Sequence, residues 1–307
     1  MKAARLMRAI ATGGAVATLS VPAFGEGTVW LPAPGSGTFT VSYVSQEADE
    51  MWVGKNGPGP IPFKGLEQET VLFDMTYGIS DAVALDASVG RSEVSPTHGR
   101  PIPIETDGRT DLNVGVTWRL MDELITGGAS VAVRAGAILA GDYEAGGPGP
   151  VAVMGDASRV GAGPTAIGDG ADGFEVSAIV GRIFGDRIAL SGELGTRNRT
   201  SDVPRENFAN LDGHWIVNPR LVLSLGYYIQ DSTGDVDIGP PPGPGKHGTY
   251  WHLFPEVAED IERVSVGGSF SLTDRINVGL HWFQVLDGRN TAEYDAFGGT
   301  LTYNFGL

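Results

Sequence analysis

Residues 294–307 alternate in polarity with a period of two, which is the pattern of a strand with different surroundings on its two faces. One face carries Phe297, Gly299, Leu301, Tyr303, Phe305 and Leu307, and the other carries Ala296, Gly298, Thr300, Thr302 and Asn304. This pattern fits a strand with lipid on one side and water on the other. Because an open sheet edge in hydrocarbon leaves backbone groups without hydrogen bonds, such a strand implies a closed barrel.

The bulk composition is compatible with a membrane barrel although it looks soluble. The chain has 307 residues, 41% hydrophobic residues and a mean hydropathy of -0.02. Beyond the N-terminus no run of about 18 apolar residues occurs, which excludes helical membrane spans. In a barrel, polar residues of the lumen offset the apolar residues that face lipid, so moderate hydropathy is expected.

The N-terminus reads as a secretory signal peptide over residues 1–25. Lys2, Arg5 and Arg8 precede a short stretch of apolar and small residues that runs from Ala9 to Val21. Small residues then allow cleavage after Gly25, or less favourably after Ala23. The alternative is a transmembrane anchor, but the apolar stretch is short for one. No cysteine follows, which disfavours a lipoprotein anchor.

The predicted mature chain is strongly acidic and free of cysteine. Removing the signal peptide takes away three basic residues and no acidic one, so the net charge changes from -16 to -19. Nucleic-acid binding is disfavoured, because affinity for phosphates depends on Lys and Arg. The absence of cysteine excludes disulfides, thiol catalysis and Cys-ligated metals.

Alternating segments predict about twelve strands, and therefore an all-β, up-and-down antiparallel transmembrane β-barrel over residues 37–307. Residues 26–36 form a periplasmic N-terminal segment in this prediction. The strands are expected near residues 37–47, 66–79, 82–95, 106–120, 125–141, 172–185, 187–200, 206–217, 220–232, 260–273, 275–287 and 292–306.

Short turns and long loops alternate along the chain. The short connections carry the Asp, Asn, Ser, Gly or Pro that a tight hairpin needs, as in 79–82, 121–123, 184–187, 217–220 and 272–275. The opposite connections are longer and rich in Gly and Pro, chiefly 48–65, 96–105, 142–171 and 232–259. This asymmetry is typical of bacterial outer-membrane barrels, whose turns are periplasmic and whose loops are outside. An even strand number places both termini in the periplasm.

The two faces of each predicted strand separate well. In the ninth strand Leu221, Leu223, Leu225, Tyr227 and Ile229 are expected to face lipid. Aromatic residues that could form interfacial girdles are Tyr77, Trp118, Trp215, Trp282, Tyr303 and Phe305. The expected surroundings are therefore membrane lipid and lipopolysaccharide. The alternative is a soluble sandwich with these rings in its core, but sandwiches seldom show such turn asymmetry.

The same parity predicts which polar residues line the lumen. They are Asp74, Asp86, Arg119, Arg134, Glu175, Glu193, Arg197, Asp212, His214, Arg263 and His281. Charges inside a barrel either pair across it, for example Arg134 with Glu193, or line a water path. Both interpretations remain open: structural ion pairs that brace the wall, or groups that select the solute.

Neither a catalytic motif nor a metal motif is recognisable. None of the five histidines has a catalytic sequence context, so the chain is not expected to be an enzyme. A scattered Ser-His pair on the barrel wall, near His214 or His281, is the remaining catalytic alternative. The Gly-Asp segment 168–173 could hold calcium, but it lacks EF-hand spacing and is more simply a loop. No cofactor and no metal site are predicted.

Two aromatic segments lie outside the predicted strands. Tyr250, Trp251 and Phe254 form an aromatic patch in the loop 232–259, between a proline-rich and an acidic segment. This patch could form an apolar constriction at the mouth or pack against neighbouring loops. Trp30 to Pro34, before the first strand, could plug the periplasmic end or anchor at the interface.

The Trp30-Leu31-Pro32-Ala33-Pro34-Gly35 segment, the twelve-strand rhythm and the final Leu301-Thr302-Tyr303-Asn304-Phe305 resemble a known family. It is the family of outer-membrane transporter-like proteins named for the meta-pathway of phenol degradation. The resemblance covers most of the mature chain and implies a barrel channel for aromatic or other hydrophobic compounds. It carries over no binding residue. The C-terminus resembles the signal read by the barrel-assembly machinery, although the chain ends Phe305-Gly306-Leu307 rather than on an aromatic residue.

These observations favour a passive channel for small solutes, including hydrophobic ones. The first alternative is a structural or partner-binding barrel with a filled lumen, and the second is a hydrolase on the barrel wall. In all three, the last strand should pair with the first, around Phe39, Val41 and Tyr43, and so remove the last free edge.

Overall fold

The structure is a computed structural model that describes residues 27–61, 65–96, 106–143, 167–185, 187–238 and 256–306. It contains fifteen strands and one short helix, α1, which spans Glu123–Thr126. Strands β1 to β8 are Gly37–Ala48, Glu50–Met51, Gly59–Pro60, Leu66–Ser80, Val83–Pro96, Thr106–Arg109, Leu112–Met121 and Ser130–Leu139. Strands β9 to β15 are Gly173–Phe184, Ile188–Arg199, Glu206–Asn218, Leu221–Ser232, Asp260–Ser271, Ile276–Arg289 and Asp295–Phe305.

The strands form a closed antiparallel barrel with a wall of twelve strands. Each wall strand pairs with its neighbour in sequence, and β2 and β3 form a separate small hairpin. Strands β6 and β7 together make one wall strand, interrupted at Thr110 and Asp111, and both pair with β5. Among the described residues, no helix is long and apolar enough to cross a membrane.

The barrel closes between the first and last wall strands, as the sequence predicts. Phe39 lies opposite Tyr303, Val41 opposite Leu301, and Tyr43 opposite Gly299. Inside the barrel, the hydroxyl oxygens of Thr40 and Thr302 are 3.0 Å apart. The sheet therefore has no open edge at this seam, which is the condition for a strand structure to lie in hydrocarbon.

The predicted separation of the two faces is confirmed. Large apolar side chains are exposed on the outer surface of every part of the wall, including Phe73, Val116, Leu225 and Leu301. The interior positions of the same strands carry Thr, Ser, Asn and charged residues, most of them buried. An apolar exterior around a polar interior is the arrangement of a membrane barrel and the reverse of a soluble one.

The two rims differ in the way that the sequence predicts. The turn end has connections of a few residues, and the longest of these, between β7 and β8, contains α1. Asp122 caps this helix by accepting a hydrogen bond from Leu124 N, and Gly127 ends it with φ at 70°. The predicted fifth strand therefore begins at Ser130 rather than near residue 125. Both ends of the barrel chain lie at the turn end, since Gly37 pairs with Phe305.

At the loop end, an apolar group that we name the mouth cluster joins the wall to the loops. Its buried members are Ala48, Met51, Ile61, Leu66, Val94 and Ala292, with Ile167, Ile238 and Tyr294 packed against them. Ala48, Leu66 and Val94 come from inward positions of β1, β4 and β5, Met51 comes from β2, and the others come from loops. The mouth cluster therefore extends from the wall across the loop end.

Asn290 fastens the loops around the mouth cluster. It is fully buried with φ at 52°, a left-handed conformation that asparagine tolerates better than most residues. Its Oδ1 accepts from Gly54 N at 2.8 Å and from Ile238 N at 3.1 Å. Its Nδ2 donates to the oxygen of Ala258 at 2.7 Å. One side chain thereby links two loops, the β1–β4 and β12–β13 connections, to the end of β14.

The segment from Gly27 to Ser36 lies inside the barrel at the turn end. Val29 is fully buried and packs with Ala132 and Ile179, which are interior positions of β8 and β9. Trp30 Nε1 donates to Glu123 Oε1 at 3.3 Å, and the other oxygen of Glu123 accepts from Ile183 N at 2.9 Å. This placement agrees with a plug rather than with an anchor at the membrane interface.

Candidate functional site in the barrel interior

A chain of ion pairs crosses the inner face of the wall from β5 to β11. Arg134 Nη2 contacts Asp86 Oδ2 at 2.6 Å, and its Nη1 contacts Glu175 Oε1 at 2.7 Å. Arg197 Nη2 contacts Glu175 Oε2 at 2.9 Å, and its Nη1 contacts Glu206 Oε2 at 2.8 Å. We name these five residues the arginine ladder. Each arginine joins two carboxylates, and Glu175 joins the two arginines.

Strand register explains how the ladder forms. Arg197 lies directly opposite Glu175 on β9 and Glu206 on β11, so its guanidinium reaches both neighbours. Arg134 reaches Asp86 across the intervening strand β7, where Gly115 lies directly opposite Asp86. A Cβ at Gly115 would lie 2.5 Å from Asp86 Oδ2 and 2.7 Å from Arg134 Cζ. The missing side chain therefore allows this ion pair.

A second ionic group lies at the loop end, where β6 meets β7. Asp111 Oδ2 accepts from Arg199 Nη1 at 2.7 Å, and Asp111 Oδ1 accepts from Tyr143 OH at 2.7 Å. Arg199 Nε also lies 3.2 Å from Asp169 Oδ2. Burial raises the pKa of Asp169 to about 6 despite Arg199, and burial beside Asp111 raises the pKa of the Tyr143 hydroxyl.

Three further interior carboxylates hydrogen-bond to neutral side chains. Ser88 donates to Asp74 at 2.6 Å, and Asn210 donates to Asp212 at 2.7 Å. Ser177 donates to Glu193. Asp74 and Asp212 are half-buried, so these two carboxylates remain accessible from the lumen.

The interior histidines and Arg263 lie on the part of the wall formed by β11 to β14. His214 Nδ1 and Ser224 Oγ are 2.7 Å apart, so a Ser-His contact of the kind that a hydrolase needs is present. His281 is buried, and neither of its ring nitrogens has a hydrogen-bond partner among the described residues. Arg263 stacks on Tyr228 and Phe283, with its Cζ 5.0 Å from each ring centroid.

The structure places the predicted lumen residues on the inner face of the wall, but with different partners and depths. Arg134 pairs with Asp86 and Glu175 and not with Glu193, so that predicted pair is wrong. Arg119 lies at the turn-end rim, where it contacts Asp122 at 2.9 Å. It takes no part in the ladder, because only the rim residues of the turn are within its reach.

Sequence reasoning missed four members of the interior ionic groups: Arg199, Glu206, Asp111, and Asp169, which it places only in a Gly-Asp loop. Arg199 has the same strand parity as Arg197, and Glu206 has the same parity as Asp212, so both could have been found. Asp111 gave no such signal, because it lies at the interruption between β6 and β7, where the alternation of faces is broken.

The predicted aromatic patch of Tyr250, Trp251 and Phe254 lies outside the described residues. The described part of the loop end instead supplies a different apolar surface, the mouth cluster. In the Gly-Asp segment, Asp169 pairs with Arg199, and Asp172 accepts from Ala140 N at 2.9 Å. The described residues contain no group of three acidic, histidine or cysteine ligands that could hold a metal ion.

Comparison with known proteins identifies a shared fold. No family model and no curated protein matches the sequence. An outer membrane channel from Pseudomonas putida F1 is similar with a TM-score of 0.64 and 14% identity, over 93% of this chain and 100% of that one. The NanC porin gives a TM-score of 0.49 with 8% identity, over 86% of this chain and 98% of that one. The monoaromatic hydrocarbon channel CymD gives 0.40 with 9% identity, over 89% and 88% of the two chains.

Proposed function

We propose that the protein is a channel of the bacterial outer membrane through which small solutes pass without energy input. The observation that carries this proposal is a closed wall with an apolar outer face and a charged inner face. Charged side chains inside a barrel are stable where they pair or meet water, and accessible ones such as Asp74 and Asp212 require water. A wet interior in a membrane wall is a path for solutes.

The solutes that suit this barrel are small and include apolar or aromatic molecules. Three half-buried apolar side chains, Ile167, Ile238 and Tyr294, pack against the mouth cluster at the loop end, and the apolar surface that they expose favours partition of apolar solutes from water. The family resemblance of the sequence supports the same class. Past the mouth, the solute meets the polar inner wall.

We place the turn end, with both termini, in the periplasm and the long loops outside. Support comes from the rim asymmetry, which is that of outer-membrane barrels, and from the shared turn-end position of Gly37 and Phe305. Residues 1–25 are removed as the signal peptide in this proposal. The barrel-assembly machinery inserts the chain, and lipid and lipopolysaccharide surround the wall.

Reconstitution tests the proposed function directly. The purified barrel in planar bilayers should give discrete conductance steps, and in liposomes it should allow swelling in small neutral solutes such as a pentose or an aromatic alcohol. Heat-denatured protein at the same concentration is the control. Absence of both conductance and swelling would contradict the channel and leave a sealed barrel.

A structural barrel with a filled lumen is the second candidate, because the ladder is nearly inaccessible and both ends are occupied. The side chains of Arg134, Glu175 and Arg197 are at most 3% exposed. Gly27 to Ser36 occupies the turn end, and the mouth cluster spans the loop end. This candidate predicts that no solute passes even when the N-terminal segment is removed.

We propose further that the protein is not an enzyme, although His214 contacts Ser224. A serine nucleophile needs a base that a third group orients. Among the described residues no carboxylate hydrogen-bonds to His214, which is itself buried. Ser224→Ala should therefore leave solute flux unchanged, and an ester-hydrolysis assay should show no difference from a blank.

A further inference from the structure

The charges that a solute can meet inside the barrel are mostly negative. The guanidinium groups of Arg134, Arg197 and Arg199 are at most 3% exposed and are occupied by carboxylates. Apart from Asp86, which is paired with Arg134 in the ladder, the half-buried charged residues between the two rims are Asp74, Asp212 and Arg263. Accessible acids therefore outnumber accessible bases along the described inner wall.

The buried ionic groups do not reverse the negative net charge of the inner wall. The ladder contains three carboxylates and two guanidinium groups, and the loop-end group contains Asp111, Asp169 and one guanidinium from Arg199. Each group has an excess of acid. Glu193, which accepts a hydrogen bond from Ser177, has Glu175, Arg134 and Asp212 as its charged neighbours. The net charge of the inner wall stays negative when Glu193 is neutral.

Asp212 occupies an open part of the wall. Its cross-strand neighbours on β10 and β12 are Ser191 and Gly226, both small. A Cβ at Gly226 would lie 3.0 Å from Asp212 Oδ1, so the carboxylate extends over this glycine. Arg263, on the next strand, is stacked on Tyr228 and Phe283. An approaching solute therefore meets the Asp212 carboxylate beside small side chains on β10 and β12, with Asn210 as its hydrogen-bond donor and Arg263 as its charged neighbour.

The loop end is acidic, and this charge adds to the effect of the lumen. One loop-end segment carries Glu47, Asp49 and Glu50, and another carries Glu256 and Asp260. A negative mouth raises the local concentration of cations and lowers that of anions.

We infer that this barrel is selective against anions and admits cationic and neutral small solutes in preference to carboxylates and phosphates. This inference rests on the proposed function and names its substrate class. Carboxylates on the wall of a narrow pore produce such selectivity because they stabilise a cation and repel an anion where little water screens them. Asp74 and Asp212 are the residues that determine it.

The reversal potential across a bilayer with a KCl gradient tests this inference. We expect potassium to be more permeant than chloride. Asp74→Asn and Asp212→Asn should each lower the permeability ratio by about twofold or more, because one wall charge contributes on this scale. The matched control is Glu262→Gln, which removes a carboxyl from the outer face where Glu262 accepts from Tyr227 OH.

Two results of this experiment separate the inference from the proposed function. A barrel that conducts but prefers chloride overturns the inference and leaves the channel intact. Equal permeability ratios in all four proteins would also overturn the assignment to Asp74 and Asp212. Absence of conductance contradicts the proposed function, and the inference is then decided by a second measurement.

The second measurement uses a cysteine in the lumen, since the chain has none of its own. Ser265→Cys places one thiol beside Gly226 and close to Asp212. A cationic methanethiosulfonate should modify this thiol faster than an anionic one, and Asp212→Asn should reduce the ratio of the two rates. A faster anionic reagent, or no modification by either reagent, would overturn the inference.

Discussion

Arg197 is the residue on which the interior ion pairs converge. Its guanidinium is 1% exposed and donates to Glu175, Glu206 and Gln230, while its Cζ lies 5.4 Å from the centroid of the Phe208 ring. A charge taken out of water is stable only if such partners replace the lost hydration. The arginine and its carboxylates therefore depend on one another.

Replacing Arg197 by Met should destabilise the barrel by about 3–5 kcal/mol, because two buried carboxylates lose their partner. Arg91→Met is the matched control, since Arg91 and Asp107 form an ion pair that is largely exposed. Its loss should cost about 0–1 kcal/mol. Urea unfolding followed by tryptophan fluorescence measures both changes. Equal destabilisation by the two variants would show that the ladder adds no stability beyond that of a surface pair.

Glu259 makes the loop end sensitive to pH. Burial raises its pKa to about 8 from an ordinary value of 4.5, and Asp169 and Glu206 add to the rise. The folded state then binds a proton more tightly than the unfolded state does. This contribution to stability is complete below about pH 4.5 and is lost as the pH rises through about 8. Asp169, with its pKa raised to about 6, acts in the same direction at lower pH.

We therefore expect Glu259→Gln to reduce the loss of stability between acidic and alkaline pH. The measurement is the urea midpoint of the wild type and the variant across this range. Glu67→Gln, at an exposed position on the outer face of β4, is the control and should leave the pH profile unchanged. A wild-type barrel that becomes more stable as the pH rises from 5 to about 8 would contradict this assignment.

At the scale of elements, the N-terminal segment is a part of the chain that occupies the lumen at the turn end. Val29 fills space beside Gly181, where a Cβ would lie 2.5 Å from Val29 Cγ1. Gly35 N donates to the oxygen of Gly78, and Gly78 N donates to the oxygen of Ser36, at 2.8 and 2.9 Å. The segment is thus attached to β4 at one end and packed against β8 and β9 at the other.

Deleting residues 27–34 from the mature chain should raise the unit conductance, because it removes Val29 and Trp30 from the turn end. The wall should remain folded, since β1 begins at Gly37. Single-channel recording in planar bilayers measures the change, and circular dichroism checks the strand content. Trp30→Phe is the control: it removes the hydrogen bond to Glu123 and part of the ring but keeps the segment in the lumen, so it should change the conductance less. Unchanged conductance after the deletion would place the restriction at the mouth cluster.

The sequence is sufficient to predict the strands, their facing and the rim asymmetry, because each depends on local alternation and turn residues. It does not predict which charged residues pair. Arg134 reaches Asp86 only because register places Gly115 between them, and register is a property of the closed sheet. The role of Asn290 is likewise not visible in the sequence, since its five hydrogen-bond partners lie in two loops. These contacts connect residues that are far apart in the sequence.

At the scale of the whole molecule, closure by β1 and β15 determines whether the chain is a barrel at all. Eleven register pairs run from Gly37 and Phe305 to Glu47 and Asp295. Without them, two strands would expose unpaired backbone groups to lipid at a cost of several kcal/mol for each group. All the interior contacts described above depend on the pairing of β1 with β15.

A designed disulfide tests the seam directly. Thr40 and Thr302 are opposite each other, with hydroxyl oxygens 3.0 Å apart inside the wall, and directly opposed strand residues have Cβ atoms about 4.5–5.5 Å apart. Disulfides need about 3.5–4.5 Å between the same atoms, so only a small adjustment is required. In a chain without other cysteines, Thr40→Cys with Thr302→Cys should form one bond that joins the first and last strands. Boiled, unreduced protein should then migrate differently from reduced protein in denaturing electrophoresis.

The control pair, Thr40→Cys with Ser224→Cys, places cysteines on strands that are not neighbours and should show no shift. Absence of a shift in the first pair under oxidising conditions would mean that the barrel does not close between these strands.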